Sequence, residues 1–121
     1  MLTINNNDVL LEIDDNKTIG DLQENFNESF PFLKIEFYDR RYRSIKDYHL
    51  LFPLAPNVRV ETIRKKHDPG ICTIKSWYRV ETVEEDLWNN FGLVARIYHY
   101  IGNRWVVLTG GETLSPKLKP I

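Results

Sequence analysis

Around Pro31 the hydrophobic period of this chain switches from helical to extended within three residues. Ile19, Leu22, Phe26 and Phe30 recur at helical spacing and lay one apolar stripe along residues 19–30. Thr18, with Asp21 three positions on, supplies a capping-box start. Pro31 disfavours the α region at Phe30 and ends the helix there. The chain then runs at once into Leu33-Lys34-Ile35-Glu36-Phe37-Tyr38, whose alternation is that of a half-buried strand. A helix and a strand joined so tightly, each with one apolar side, can cover those sides only by packing together. Upstream, residues 9–13 are aliphatic between two clusters of turn formers and read as a strand, with Leu2-Thr3-Ile4 a candidate hairpin partner.

The second half replays this grammar. Residues 71–80 read as a strand opening after the turn His67-Asp68-Pro69-Gly70. Thr82-Val83-Glu84-Glu85 is a capping box, and Val83, Leu87 and Phe91 follow on one helical face, with Gly92 placed to end the helix in the left-handed region. Residues 93–100 and 104–109 read as a hairpin around Gly102-Asn103. The echo between Asp21-Leu22-Gln23-Glu24-Asn25-Phe26 and Asp86-Leu87-Trp88-Asn89-Asn90-Phe91 makes Leu22/Leu87 and Phe26/Phe91 the expected equivalent anchors, with the second helix about one turn the shorter.

Two such units predict a single α+β domain over residues 1–109: pseudo-repeats 9–38 and 71–109, an irregular linker 39–70, and a flexible tail 110–121. In the linker, residues 44–52 could form a short helix ended before Pro53, and residues 57–66 an edge strand. The expected architecture is a two-layer sandwich of two β-α-β units, ferredoxin-like, with an extra C-terminal hairpin strand. A β-grasp-like fold is the alternative, favoured if Leu2-Thr3-Ile4 pairs with residues 9–13.

Asp21-Leu22-Gln23, Phe26, Phe30-Pro31-Phe32-Leu33-Lys34-Ile35-Glu36-Phe37, then Phe91-Gly92-Leu93, Arg96-Ile97-Tyr98 and Gly102-Asn103-Arg104-Trp105 carry a likeness. In these two blocks the chain resembles a set of small, functionally uncharacterised proteins of Bacteroidetes-type bacteria. They share a D-[IL]-Q-x-x-F-x-x-x-FP-[FY]-LK-[IL]-EF first unit and a GL-x-[VA]-x-[VI]-[FY]-x-x-[SI]-GN-x-W second unit. The resemblance implies a grouping and no activity. The chain departs from it at the C-terminus, keeping only Thr113-Leu114 of a W-T-L-x-x-Q-N ending.

The 16 Lys and Arg against 17 Asp and Glu leave a net charge of −1, which disfavours general nucleic-acid binding. A single cysteine, Cys72, precludes an internal disulfide and fits a reducing, cytoplasmic setting; it reads as a small buried hydrophobe. The N-terminus lacks the pattern of a signal peptide, and no apolar run reaches the ~20 residues of a membrane span. His49, His67 and His99 have no metal-ligand spacing, and His99 continues an inward strand face. Glu84, Glu85 and Asp86 read as first-turn acids favoured by the helix dipole. No nucleotide-binding or nucleophile motif occurs, so no catalytic residue, metal or cofactor is expected. Gly110-Gly111 raises a ubiquitin-like modifier as a remote alternative, and a small enzyme as another.

Strand parity carries the functional expectation. Lys75, Trp77 and Arg79 would point away from the helices, as would Arg96, Tyr98 and Tyr100 on the following strand, and Lys34, Glu36 and Tyr38 on the first. Aromatic and arginine side chains mixed on one face suit a protein contact. The expected function is therefore a non-catalytic protein-binding or assembly module, its surface built from Trp77, Arg79, Arg96, Tyr98, Tyr100, Lys75 and Tyr38. Stacking of single-stranded nucleic acid on the same face is the alternative. Ranked ahead of both for the face itself is the bland reading, in which cross-strand aromatic and arginine pairs merely stabilise a solvated sheet, or residues 58–66 of the linker cover it.

Overall fold

The computed structural model describes residues 8–114. Leu2-Thr3-Ile4 and residues 115–121 of the tail lie outside the described residues. The chain is α+β. Its elements are β1 (Val9–Ile13), α1 (Ile19–Ser29), β2 (Leu33–Tyr38), β3 (Gly70–Ile74), α2 (Val80–Phe91), β4 (Val94–Ile101) and β5 (Arg104–Val107). Single 3-10 turns at Arg40–Tyr42, Tyr48–Leu50 and Val60–Thr62 occupy the linker, where a short helix and an edge strand were expected. The five strands are divided between two antiparallel sheets, β1-β3 and β2-β4-β5, where the ferredoxin-like expectation places them in one.

One core joins both sheets and both helices. Leu22 and Phe26 of α1, and Val83, Leu87 and Phe91 of α2, pack with Leu11, Cys72, Ile74, Leu33, Ile35, Phe37, Ala95 and Ile97. Burying each large aliphatic or aromatic side chain contributes about 1.5–3 kcal/mol, so this stripe-on-sheet contact dominates the fold's stability.

The start of α1 is as its sequence predicts: Asp21 N donates to Thr18 Oγ1 at 3.2 Å, and Thr18 N donates back to Asp21 Oδ2 at 2.9 Å. The start of α2 is not. It begins at Val80, its N-cap Arg79 makes no side-chain bond, and Thr82 and Glu85 lie inside the helix. The reason is main-chain capping. Val80 N donates to Glu112 O at 2.9 Å and Glu81 N to Gly110 O at 3.0 Å, which satisfies first-turn amides without a side chain. Consequently β3 ends at Ile74 rather than Val80, and α2, at 12 residues against 11, is not the shorter helix.

The same device holds α1. Ile19 N donates to Val58 O (2.9 Å), Gly20 N to Pro56 O (2.8 Å) and Val60 N to Lys17 O (2.9 Å), while Leu54 N donates to Phe37 O of β2 (2.7 Å). In the second half Leu114 N donates to Tyr78 O (3.0 Å) and Leu108 N to Ile97 O of β4 (2.9 Å). Each half thus returns past its own helix start, through residues 54–60 or 108–114, and buries the last side chain, Val60 or Leu114, completely. Residues 110–114, expected in a flexible tail, are part of this closure.

These bonds match Ile19 with Val80, and hence Leu22 with Val83, Phe26 with Leu87 and Phe30 with Phe91. The sequence echo that paired Leu22 with Leu87 is one helical turn out of step with the structure. Gly92 does end α2 at φ 69°, and Gly102-Asn103, both at positive φ, turn the β4-β5 hairpin.

Candidate functional site

Parity along β2 and β4 is as expected: Lys34, Glu36 and Tyr38 stand beside Tyr98, Arg96 and Val94 on the outer face, and Tyr100 stands opposite Trp105. That face is not open. The segment after β2 folds back over it as a strap. Tyr48, buried, sets its ring edge-on to Tyr38 at 5.3 Å and donates its hydroxyl to Ala95 O at 2.8 Å. The Tyr38 and Tyr98 hydroxyls bond at 2.5 Å, and Tyr98 Oη lies 3.4 Å from His49 O. Burial and the Tyr98 hydroxyl raise the Tyr38 phenol well above its usual range. Only the far end, Tyr100 and Trp105 packed edge-on, stays substantially exposed.

Lys75, Trp77 and Arg79 are elsewhere. With β3 ending at Ile74, they lie in the turn leading into α2: Lys75 Nζ pairs with Asp8 at 3.0 Å, Trp77 is 66% exposed against Tyr78, and Arg79 is the bare N-cap. The structure therefore brings Tyr38, Arg96 and Tyr98 together under the strap and separates them from Trp77 and Arg79.

What gathers under the strap is a polar cluster that parity alone did not reveal. Arg96 Nη1 donates to Glu84 Oε1 at 3.0 Å and to Tyr48 Oη, and the guanidinium sits 3.7 Å from the centre of the Tyr48 ring. A cleft of about 390 Å³ opens on one side of this cluster, between α2 (Glu81, Glu84, Glu85, Trp88) and the strap (Arg43, Ser44, Lys46). A second, of about 280 Å³, lies on the other side, against Asp47, His49 and Leu108. Glu84 and Arg96 line both. Burial raises the Glu84 carboxyl to about 7 against the lowering effect of Arg96, and it pushes the Tyr48 phenol up to about 12. Glu84 Oε2 is buried and has no hydrogen-bond partner among the described residues.

The first half holds a counterpart of this cleft. Gly20, Gln23, Glu24 and Asn27 of α1 and Lys34 and Glu36 of β2 line a more open groove of about 340 Å³. Gln23 Nε2 donates to Ile35 O at 3.0 Å and Asn27 Nδ2 to Leu33 O at 3.0 Å, closing the edge of β2. The matching positions on α2 are Glu84 and Trp88. Because Leu54–Phe37 matches Leu108–Ile97, the matching carbonyl is Ala95 O, and Tyr48 caps it instead. In sequence Glu84 was read as a first-turn acid. The signal that marks it is its place on the border of the Val83–Leu87 stripe, one turn before Trp88.

Other sequence candidates fall to structural roles. His67 Nδ1 and Arg64 Nε share Asp15 at 2.7 and 2.9 Å. Arg64 is buried and also donates to Phe91 O, at the end of α2. His99 is buried on the inward face. Cys72 is buried opposite Leu11, and burial pushes its thiol up to about 12, away from the reactive thiolate. Among the described residues no cluster of His, Cys, Asp and Glu is arranged to hold a metal, and no helix is long and apolar enough to cross a membrane. No family model matches the chain, and no curated protein or solved structure matches it significantly.

Proposed function

We propose that the chain is a non-catalytic protein-binding or assembly module built from two copies of one β-α-β unit, and that it meets its partner through the outer side of the strap. The observation that carries this is the exposure of Leu50 (78%) and Phe52 (91%) in a chain whose other aliphatic and aromatic side chains mostly fill one core. Large apolar side chains held out on a surface segment favour a partner that buries them. Arg96 and Tyr98, which sequence parity placed on the contact face, serve in this reading to hold the strap down. Tyr100, with Trp105, is the part of that face still available to a partner.

Stacking of single-stranded nucleic acid is less well supported. It needs Tyr98 and Tyr100 open together, and Tyr98 is half-buried beside the strap. A modifier cleaved after Gly111 would lose Leu114 from the core and Glu112 O from the cap of α2. A non-catalytic role accords with the engagement of Glu84, Arg96 and Tyr48 with one another.

The test is affinity purification from the native cell with three baits: the natural chain, the Leu50→Asp/Phe52→Asp chain and the Trp77→Ala chain. A partner held by the first and third and lost by the second is expected, since an apolar anchor contributes about 2 kcal/mol or more. Retention by the double variant, or loss with Trp77→Ala alone, would put the contact elsewhere.

A further inference from the structure

The sheet β2-β4-β5 has two edges, and among the described residues the chain closes one of them. Tyr100 N donates to Phe32 O, so Lys34, Glu36 and Tyr38 turn their main-chain groups towards β4, and Leu33, Ile35 and Phe37 turn theirs away. Those three outward carbonyls are all taken, by Asn27 Nδ2, Gln23 Nε2 and Leu54 N in turn. On β5 the parity is equally plain. Ile101 and Arg104 flank the two-residue turn, and Leu108 N donates to Ile97 O, so Arg104, Val106 and Leu108 turn their main-chain groups towards β4. Trp105 and Val107 turn theirs outward. At Thr109, the next outward residue, Glu112 closes the edge: Thr109 N donates to Glu112 Oε2 (2.8 Å) and Glu112 N to Thr109 O (3.0 Å). The N–H and C=O groups of Trp105 and Val107 have no such partner among the described residues.

Exposed edge strands are commonly protected by lysine, proline, a bulge or an inward charge. After its first residue β5, Arg104-Trp105-Val106-Val107, carries none of these. Both of its faces present apolar side chains to solvent. Trp105 (38%) stands beside Tyr100 on the outer face, and Val106 (36%) lies diagonal to Ile101 on the inner one. An extended chain is what offers N–H and C=O groups at the spacing that Trp105 and Val107 present.

We propose that two copies of this chain pair through β5, antiparallel about a two-fold axis at Val106, and so join their sheets into one of six strands. In that register Trp105 of each copy stands opposite Val107 of the other and exchanges both main-chain bonds with it, which satisfies every open group on both edges. Trp105 and Val107 share the outer face, so the seam holds two aromatic–β-branched pairs. Each indole comes to the rim of the other copy's smaller cleft, which Val107 lines with Asp47 and His49. On the inner face Val106 meets Val106. Arg104 stands opposite Leu108, so no like charges oppose one another along the seam. An unrelated extended segment would satisfy the main-chain groups alone; the match of side chains about the two-fold axis selects a second copy. The seam is short, and the dimer it makes is weak. It goes beyond the contact made by Leu50 and Phe52 and does not rest on it.

Sedimentation equilibrium of the whole chain from about 10 μM to about 1 mM should show reversible dimerisation, with Kd at or below about 1 mM. Cross-linking reads the register. Val106→Cys places two thiols in a non-hydrogen-bonded pair, about 4.5 Å apart between Cα atoms, which a disulfide spans. Trp105→Cys leaves its two thiols out of line, so the first variant should form a disulfide-linked dimer at least about tenfold faster than the second. Cys72 is buried and takes no part. Val107→Pro removes an outward N–H and no bond to β4, and should abolish the dimer while the monomer keeps its amide spectrum. Val106→Lys, the deciding variant if the proline chain does not fold, should weaken the dimer about tenfold or more, and an equimolar mixture with Val106→Glu should restore it. Leu50→Asp with Phe52→Asp should dimerise as the natural chain does. A natural chain that stays monomeric at about 1 mM overturns the proposal and leaves the edge to an extended segment of another protein. A dimer that survives Val106→Lys unweakened, or that is lost with the Leu50 and Phe52 changes, overturns it as well.

Discussion

The two halves of this protein close in the same way and differ in what they do with the space beside the helix. Each sends a return segment past its helix start, pairs it with the strand that follows the helix, and seals the end with one buried aliphatic residue. In the first half the groove between helix and strand is spent on closure, with Gln23 and Asn27 capping the edge carbonyls of β2. In the second half the strap supplies the cap through Tyr48, and the helix positions so freed hold Glu84 and Trp88 in a roofed, charged cleft. The lesson is that a scaffold that closes itself by main-chain bonds leaves its side-chain positions free to diverge.

That common closure makes the strongest prediction. Leu114 is wholly buried at the end of the second return segment, as Val60 is at the end of the first. Leu114→Ala should destabilise the protein by about 2–5 kcal/mol, and Val60→Ala, removing a smaller side chain, by about 1–3 kcal/mol. Chemical denaturation of the two variants reads both. A neutral Leu114→Ala would mean that the second half does not close as the first does.

Sequence alone gave access to the parts governed by periodicity and lost those governed by main-chain partners distant in the chain. The stripe Ile19–Leu22–Phe26, the stop at Pro31 and the alternation of Leu33–Tyr38 are local, and they stand in the structure where they were read. The start of α2 was misplaced because Thr82 and Glu85 imitate a cap, while the true start at Val80 is set by the carbonyls of Gly110 and Glu112, some thirty residues on. The same displacement cut β3 at Ile74 and took Trp77 and Arg79 off the expected face. The helix echo misled for a related reason: identical letters fell one turn apart, whereas matching positions, such as Phe26 and Leu87, carry different ones. Of the candidate site, the outward parity of Tyr38, Arg96 and Tyr98 was legible, but the strap that covers them carries no periodic pattern to read.

The freed position itself predicts a pH dependence. Glu84 has its carboxyl raised from an ordinary 4.5 to about 7 by burial, so the folded chain holds this proton more firmly than the unfolded chain does. Its contribution to stability is therefore complete below about pH 4.5 and is lost as pH rises through about 7, a decline of at most about 3 kcal/mol. Glu84→Gln, which gives the second half the amide found at Gln23, should remove that decline. It should leave the variant about 1–3 kcal/mol more stable than the natural chain at about pH 8 and about equal to it at about pH 4. Thermal unfolding across that range measures the difference. Parallel curves for the two chains would show that Glu84 is solvated, and the contrast between the grooves would lose its electrostatic half.

Tyr48→Phe probes the substitute cap. The change leaves Ala95 O without the hydroxyl and removes one of the two acceptors of Arg96, at a cost of about 1–3 kcal/mol. Gln23→Ala removes the corresponding bond in the first half, where Ile35 O is nearer solvent, and should cost about 1 kcal/mol. A larger loss at Gln23 than at Tyr48 would reverse the ranking and make the first groove the more demanding closure.

The smallest expected effects set the two helix starts against each other. Thr18 carries a side-chain bond to Asp21 N, and Thr18→Ala should cost about 1 kcal/mol, within the usual range for a lost cap. Arg79 occupies the same place on α2 with no side-chain bond, since a guanidinium carries only donors and cannot accept from a helix amide, and Glu112 O and Gly110 O take the amides of Val80 and Glu81. Arg79→Ala should therefore change stability by no more than about 0.5 kcal/mol. In the first half Ile19 N and Gly20 N are likewise taken by main-chain carbonyls, Val58 O and Pro56 O, and Thr18 caps besides. What Thr18 adds is the third amide, that of Asp21. In α2 the third amide belongs to Thr82, which donates to Arg79 O at 3.1 Å, a bond that survives truncation of the arginine. If Arg79→Ala proved as costly as Thr18→Ala, the side chain of Arg79 would have a role beyond the cap.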